Sequence, residues 1–290
     1  MKKVLAAFVW ITSKIIGRKK LERLLIYSAK SINVNLHTHG LIQIGGSGSL
    51  NDSVNGERSF IKEILPLLSK DEITPVFFDI GANVGNYSLE IRRNFPNAAI
   101  YSFEPVKDTF DALKKNTSAD NINIYNIGFS DTSGTGLIFN TVNSTDSEIS
   151  SLYKDVFHEI FKNDNEISTI EFQMDTLDNF CSLNNIKTID FLKIDVEGHE
   201  LSVLKGAEKM LQTKCIKLIQ FEFNSHNVYS RVFLRDFYLL LKDFEFYRIL
   251  QNGIMKLGPY KPANEIFIQQ NIVAIQRDLS YLIKPTAVGD

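Results

Sequence analysis

Apolar residues along this chain fall into short unbroken runs separated by segments with helical spacing. That pattern describes strands buried on both faces and interleaved with helices. Val76–Ile80, Ala99–Phe103, Ile122–Ile127, Ile189–Ile194 and Cys215–Glu222 read as five such strands. Helices are predicted over Gly56–Ser69, Val84–Asn94, Val106–Thr117, His199–Leu211 and Arg231–Lys242. Two further strands, Phe244–Leu250 and Ile272–Gln276, follow one another with no helical pattern between them, so the last is expected to run antiparallel. The expectation is a seven-stranded α/β sheet with helices on both faces.

One stretch interrupts the alternation. Between the third strand and Ile189 lie a hairpin arm at Gly136–Phe139, a polar run Thr141–Ser151 and a mixed segment to Asn165. A strand, Ile167–Met174, and a short helix, Asp175–Leu183, then return to the pattern. Excursions this long in compact domains serve as lids or substrate-binding segments. Its aromatic and histidine residues Tyr153, Phe157, His158 and Phe161 are therefore substrate candidates, whereas Phe233, Phe237, Tyr238, Phe244, Phe246 and Tyr247 sit at helix or strand spacing and read as core. Leu41–Asn55 is rich in Gly, Ser and Asn and reads as a linker. The chain is thus divided into a helical extension with linker, 1–55, and a catalytic domain, 56–290.

Composition narrows the picture. The 290 residues carry a net charge of −2, which gives no signal for nucleic acid, and two cysteines, Cys181 and Cys215, in no CxxC pattern. A reducing compartment, the cytoplasm, fits. The balance changes locally in residues 1–30, where eight Lys/Arg accompany Glu22 as the one acidic residue. The apolar run Val4–Ile11 is too short for the ~20 residues that span a bilayer. Two readings stay open: a helix packed on the domain with a solvated basic face, or a peripheral contact with anionic membrane, which would place the protein at the inner face of that membrane.

The chemistry concentrates at strand ends. VFFDIGANVGNYS runs from the first strand through Asp79, Gly81, Asn83 and Gly85 into a helix, and the second strand ends in YSFEP with Glu104. A carboxylate there accepts hydrogen bonds from both ribose hydroxyls of an adenosine-containing ligand. The turn lacks GxGxxG, with Asn83 where a pyrophosphate would need glycine, and no Gly-Lys-Ser/Thr follows. Asp79 beside the turn favours a sulfonium and disfavours a pyrophosphate, so the constellation points to S-adenosylmethionine. An NAD-dependent oxidoreductase is the alternative enzyme, and a catalytically inactive binding or membrane-scaffolding protein with the same fold is the alternative outside enzymes.

FFDIGANVGNYS, FEP and DFLKIDVEGHELSVLKGAEKML together resemble the FkbM-type family of S-adenosylmethionine-dependent methyltransferases. The resemblance runs from about Gly56 to Ile275. It implies the class I methyltransferase (Rossmann-like) sheet, order 3-2-1-4-5-7-6 with strand 7 antiparallel, and O-methylation of a small-molecule or glycan acceptor. It also implies Asp79, Gly81 and Asn83 at the methionine end, Glu104 at the ribose, and the segment Gly128, Phe129, Ser130 and Asp131 bordering the adenine.

A hydroxyl is a poor nucleophile at neutral pH and profits from a base or a metal ion. Asp195, Glu197, Gly198, His199 and Glu200 follow the central strand at the same edge as the cofactor turn. His199 is the expected base, with Asp195 or Glu197 orienting it and Asp195 also near the cofactor; Glu197 or Glu200 could instead cap the next helix. Glu222 and His226 end the fifth strand and are candidate substrate contacts, and Asp195 with Glu222 would be the ligands if the site used Mg²⁺.

Overall fold

The computed structural model describes residues 2–46, 56–70, 72–141, 150–151 and 167–286. Tyr153, Phe157, His158 and Phe161, the substrate candidates of the excursion, lie outside the described residues. Met1–Ile44 and Gly45–Asp290 form two separate compact units.

The first unit is helical. Helices α1 (Lys2–Ile16) and α2 (Arg18–Ser31) are separated by Gly17 alone, whose φ of 82° breaks the helix at one residue. Helix α3 (Leu36–Gln43) starts where the Asn35 side chain accepts hydrogen bonds from the backbone N–H groups of His37 and Thr38.

The second unit is built on a sheet. Strands β1 (Val76–Ile80), β2 (Ala99–Phe103), β3 (Asn123–Tyr125), β8 (Phe191–Ile194) and β9 (Leu218–Phe223) are parallel. Strand β12 (Gln270–Gln276) runs antiparallel to both β9 and β10 (Phe244–Ile249). The order is β11-β10-β12-β9-β8-β1-β2-β3, eight strands where seven are expected. The additional one, β11 (Ile254–Lys256), pairs with β10 at the outer edge. Its three residues are too few for a periodic signal. The other seven keep the expected relative order.

Alternation along the strands splits the core into two layers. Phe78, Leu192 and Ile194 pack on one face with Phe103, Phe180 and Phe221, while Phe77, Phe191 and Ile100 pack on the other with Phe60, Ile61 and Leu65. Phe60, Ile61 and Leu65 belong to the helix of residues 57–68, which contains a π-turn at Phe60–Ile64. The aromatic stripe read as core is largely so: Phe237 stacks on Phe221 at 4.2 Å and Tyr238 on Phe246 at 3.9 Å, while Phe233 is exposed. The helix expected over His199–Leu211 is divided into Glu200–Lys205 and Glu208–Gln212.

The excursion forms a second sheet. Strand β5 (Gly134–Thr141) pairs antiparallel with β7 (Ile167–Asp175) from Gly134↔Met174 to Thr141↔Ile167. Strands β4 (Gly128–Phe129) and β6 (Ser150–Ser151) flank them in the order β4-β7-β5-β6. This arm leaves the main sheet just after β3, beside the edge where β1, β2 and β8 end.

Candidate active site

A cleft opens at the carboxyl ends of β1, β2 and β8. Its wall includes Gly81, Asn83, Glu104, Asp195, Glu197 and His199, all expected from sequence. It also includes Phe129, from the segment expected beside the adenine, and Val106, Thr109, Ile127, Ile138 and Phe172, which were not expected. Ile138 and Phe172 come from the arm, and Phe172 lies against two strand glycines. A Cβ on either Gly128 or Gly136 would fall 2.4 Å from its ring. Glycine inside a strand pattern is the signal that could have pointed to this close approach.

The turn after β1 is tied to the end of β2. The backbone N–H groups of Gly81 and Ala82 both donate to the carbonyl of Phe103. Gly81 has φ 77°, and a Cβ there would lie 1.8 Å from the Asp195 carbonyl oxygen. Only glycine allows the β1 turn and the β8 turn to approach this closely. Asn83 adopts φ 48°, and its backbone N–H donates to Glu104 Oε2 at 3.1 Å. The N–H of Val106 donates to Glu104 Oε1 at 2.9 Å. Glu104 is thus held by one donor on each oxygen at the wall of the cleft. Burial pushes its carboxyl up to about 7, against the pull of these two N–H groups.

Asp79 takes a different place from the one expected. It is fully buried beneath the cleft and is absent from its wall. The register pairs Asp79 with Lys193, and both side chains leave the sheet on the same face as Phe77 and Phe191. Lys193 Nζ lies 3.7 Å from Asp79 Oδ1, 3.1 Å from Asp195 Oδ2 and 4.6 Å from the Tyr87 ring centre. Ser88 donates to Asp79 Oδ2 at 2.6 Å. Burial raises the Asp79 carboxyl although Lys193 and Ser88 both pull it down. Lys193→Met is expected to lower the free energy of unfolding by about 3–5 kcal/mol, because it strands a buried carboxylate. Urea denaturation checks this, and an unchanged midpoint would mean that Asp79 is held without Lys193. Gly85 is likewise off the wall: it precedes the helix Asn86–Asn94 with φ 93°, packed against Leu113.

The two histidines separate. His199 Nε2 lies 2.8 Å from Ser130 Oγ, which also donates to Asp131 at 3.2 Å. Burial lowers the His199 pKa, with Asp131 opposing, so the ring is neutral near pH 7. Its partners are therefore two of the residues expected near the adenine, not Asp195 or Glu197. His226 instead takes Glu197: its Nδ1 is 2.6 Å from Glu197 Oε2. Burial lowers the His226 pKa, but the Glu197 bond and the nearby carboxylates Glu200 and Asp195 outweigh it, and the net shift is upward. Glu197 is itself raised, by burial first.

Local backbone geometry serves this pair. Glu197 has φ 55°, a left-handed conformation rare outside glycine, and Gly198 follows at φ 95°. Glu200 holds the turn, with Oε1 accepting from the N–H groups of Val196 at 3.1 Å and Gly198 at 3.0 Å. Capping is thus the work of Glu200, and it leaves Glu197 on the cleft wall.

The expected Mg²⁺ ligands are otherwise engaged. Asp195 is ion-paired with Lys193, and Glu222 accepts from Asn224 at 2.9 Å and Gln269 at 2.5 Å. Burial raises the Glu222 carboxyl well above its usual range, and Asp195 and Glu197 raise it further. Among the described residues no three His, Cys, Asp or Glu side chains are grouped as a metal ion would need. Asp195 and Glu222 therefore do not form the Mg²⁺ site expected of them.

Among the described residues the cleft wall carries three carboxylates, Glu104, Asp195 and Glu197, and no Lys or Arg. Such a wall repels a pyrophosphate and suits a cation. Ile127, Phe129, Ile138 and Phe172 supply apolar surface to the same wall as Glu104. The cleft lies where open α/β sheets take their ligands, outside the carboxyl ends of the strands.

Comparison with known proteins then places the chain. The family model described as the methyltransferase FkbM domain matches residues 79–251, and the chain belongs to that family. Methyltransferase 1 of Beauveria bassiana is 29% identical over 45% of this chain and 57% of its own length. The hexuronic acid methyltransferase AglP of Haloferax volcanii is 27% identical over 55% of this chain and 60% of its own. The 2-O-methyltransferase NoeI of Sinorhizobium fredii is 26% identical over 67% of this chain and 81% of its own. The chain thus spans less than two thirds of the length of the first two relatives. Family membership removes the oxidoreductase alternative.

Proposed function

We propose that the protein is an S-adenosylmethionine-dependent O-methyltransferase acting on a hydroxyl of a sugar, glycan precursor or comparable natural product. The observation that carries the reading is Glu197, held on the cleft wall by His226 beside a lining that, among the described residues, has no Lys or Arg. The names of two relatives, a hexuronic acid methyltransferase and a 2-O-methyltransferase, support a sugar hydroxyl as acceptor.

The residues present fit the cofactor. Glu104 offers an oriented carboxylate to a ribose diol, Ile127, Phe129, Ile138 and Phe172 offer an apolar slot to a purine, and Asp195 and Glu197 offer negative charge to a sulfonium. When bound, S-adenosylmethionine supplies an activated methyl group to an in-line nucleophile. The chain's task is to align that nucleophile and take its proton. Glu197 and His226 share protons as one unit. With Glu197 ionised and His226 neutral, the unit accepts the hydroxyl proton and ends as a carboxylate–imidazolium pair. His199, through Ser130, positions the adenine end of the cleft.

The test is a transfer assay with methyl-labelled S-adenosylmethionine and a panel of hexuronic acids and oligosaccharides. Formation of S-adenosylhomocysteine should require the acceptor, and NMR of the product should place the label on oxygen. Label on nitrogen or carbon would overturn the O-directed reading. Cofactor binding with no turnover on any acceptor in the panel would favour the inactive scaffold.

A further inference from the structure

Residues 1–44 form a helical unit of their own. Its exposed surface is unusually apolar: Phe8 is 66% exposed, Trp10 63%, Ile15 76% and Tyr27 73%, and Val9, Ile11, Leu24, Leu25 and Ile26 are exposed as well. Soluble monomers seldom present so many large apolar side chains over so short a stretch without a partner surface.

The charges say what kind of surface. Residues 1–30 contain eight Lys/Arg and one acidic residue, Glu22, which is bound to Arg18 at 2.9 Å. On α2, Lys19, Arg23 and Lys30 are spaced i, i+4, i+11 and fall along one line of the helix. Leu21, Leu24, Leu25 and Ser28, at i, i+3, i+4 and i+7, fall along another. Helix α1 is 15 residues, about 22 Å at 1.5 Å per residue, shorter than the ~30 Å hydrocarbon core of a bilayer. Among the described residues no helix is long and apolar enough to cross a membrane.

We infer that α1 and α2 together form a peripheral binding surface for an anionic lipid bilayer. Phe8, Ile11 and Ile15, at i, i+3 and i+7 on one side of α1, enter the headgroup boundary, and the α2 cations meet anionic headgroups. A second copy of this chain is a poorer occupant, because the same cluster of cations would face itself. The inference does not depend on the methyl-transfer reading, since its readout needs neither cofactor nor acceptor.

Trp10 is the chain's single tryptophan and lies on α1 beside Lys14, so intrinsic fluorescence reports on this helix at headgroup level. The full-length protein is titrated with vesicles of phosphatidylglycerol and phosphatidylcholine, and with phosphatidylcholine vesicles alone. The mixed vesicles should shift Trp10 emission to the blue and expose it to quenching by brominated acyl chains. Neutral vesicles should bind at least ~10-fold more weakly, as should the Lys19→Glu/Arg23→Glu/Lys30→Glu variant. Circular dichroism of that variant shows that its helices persist. An unshifted spectrum with anionic vesicles, or equal partition into neutral ones, would overturn the inference. So would a blue shift that grows with protein concentration in the absence of lipid, which would identify a second copy as the occupant.

Discussion

Glu104→Ala is expected to abolish measurable binding of S-adenosylmethionine in a calorimetric titration. Both Glu104 oxygens already hold a backbone N–H, from Val106 and Asn83, so the carboxylate has one orientation and presents its remaining lone pairs to the cleft. Two ribose hydroxyls donating to a charged acceptor contribute about 1.5–3 kcal/mol each, so their joint loss weakens binding by roughly 10²–10⁴-fold. Alanine also leaves those two N–H groups without their acceptor. Unchanged affinity in the variant would remove the ribose assignment and with it the cofactor site.

The same carboxylate predicts a pH signature. Burial raises it to about 7 from 4.5. Its contribution to folding is fully present below the unfolded value and is lost as pH rises through the folded one, amounting to ~3 kcal/mol across that interval. The ligand-free protein should therefore lose stability between about pH 4.5 and 7. Cofactor affinity should rise over that same range, because the diol needs an ionised acceptor. Glu200, also raised to about 7 by burial, adds to the stability trend but lies away from the cleft wall. Melting curves with and without S-adenosylmethionine separate the two effects: the stabilisation by ligand should grow with pH. A ligand-induced shift that is flat in pH would assign the trend to the other raised carboxyls, Asp79, Glu197, Glu200 and Glu222.

What could be read in the sequence was what local pattern dictates. Phe191–Ile194 is apolar except for Lys193, and it is the central strand; Gly81, Asn83 and the carboxylate of Glu104 lie on the cleft wall after the first two strands, the order that the chain implied. Three matters depended on pairing between distant segments. The arm's second sheet joins Gly134–Thr141 to Ile167–Asp175, and neither strand predicts its partner. Asp79 reads as a cofactor-facing acid until its register with Lys193 shows that the two share the buried face. The two histidines flank strand ends at the same edge, and sequence proximity favoured joining His199 to Glu197. Yet Gly198 turns the chain at φ 95°, so that His199 reaches Ser130, while β9, lying beside β8, delivers His226 to Glu197 from 29 positions away.

That exchange of partners makes the second prediction. His226→Ala should lower kcat by about 10²–10⁴-fold, the range of a lost general base, and leave the dissociation constant for S-adenosylmethionine nearly unchanged. Glu197→Gln should lower kcat similarly, since an amide cannot take the hydroxyl proton and cannot stabilise an imidazolium on Nδ1. The double variant should be little worse than either single one, because the two groups act as a unit. In the wild type, kcat should rise with pH through one ionisation belonging to the pair. The proton-accepting form is the one with His226 neutral, and the raised His226 pKa moves that rise to higher pH than an ordinary imidazole would show. His199→Ala should behave in the opposite way, weakening cofactor binding through the loss of its Ser130 contact while turnover at saturating cofactor is largely kept. If kcat collapses in His199→Ala and survives in His226→Ala, the proton leaves the acceptor by the adenine side of the cleft, and Glu197 is a residue that only shapes the turn.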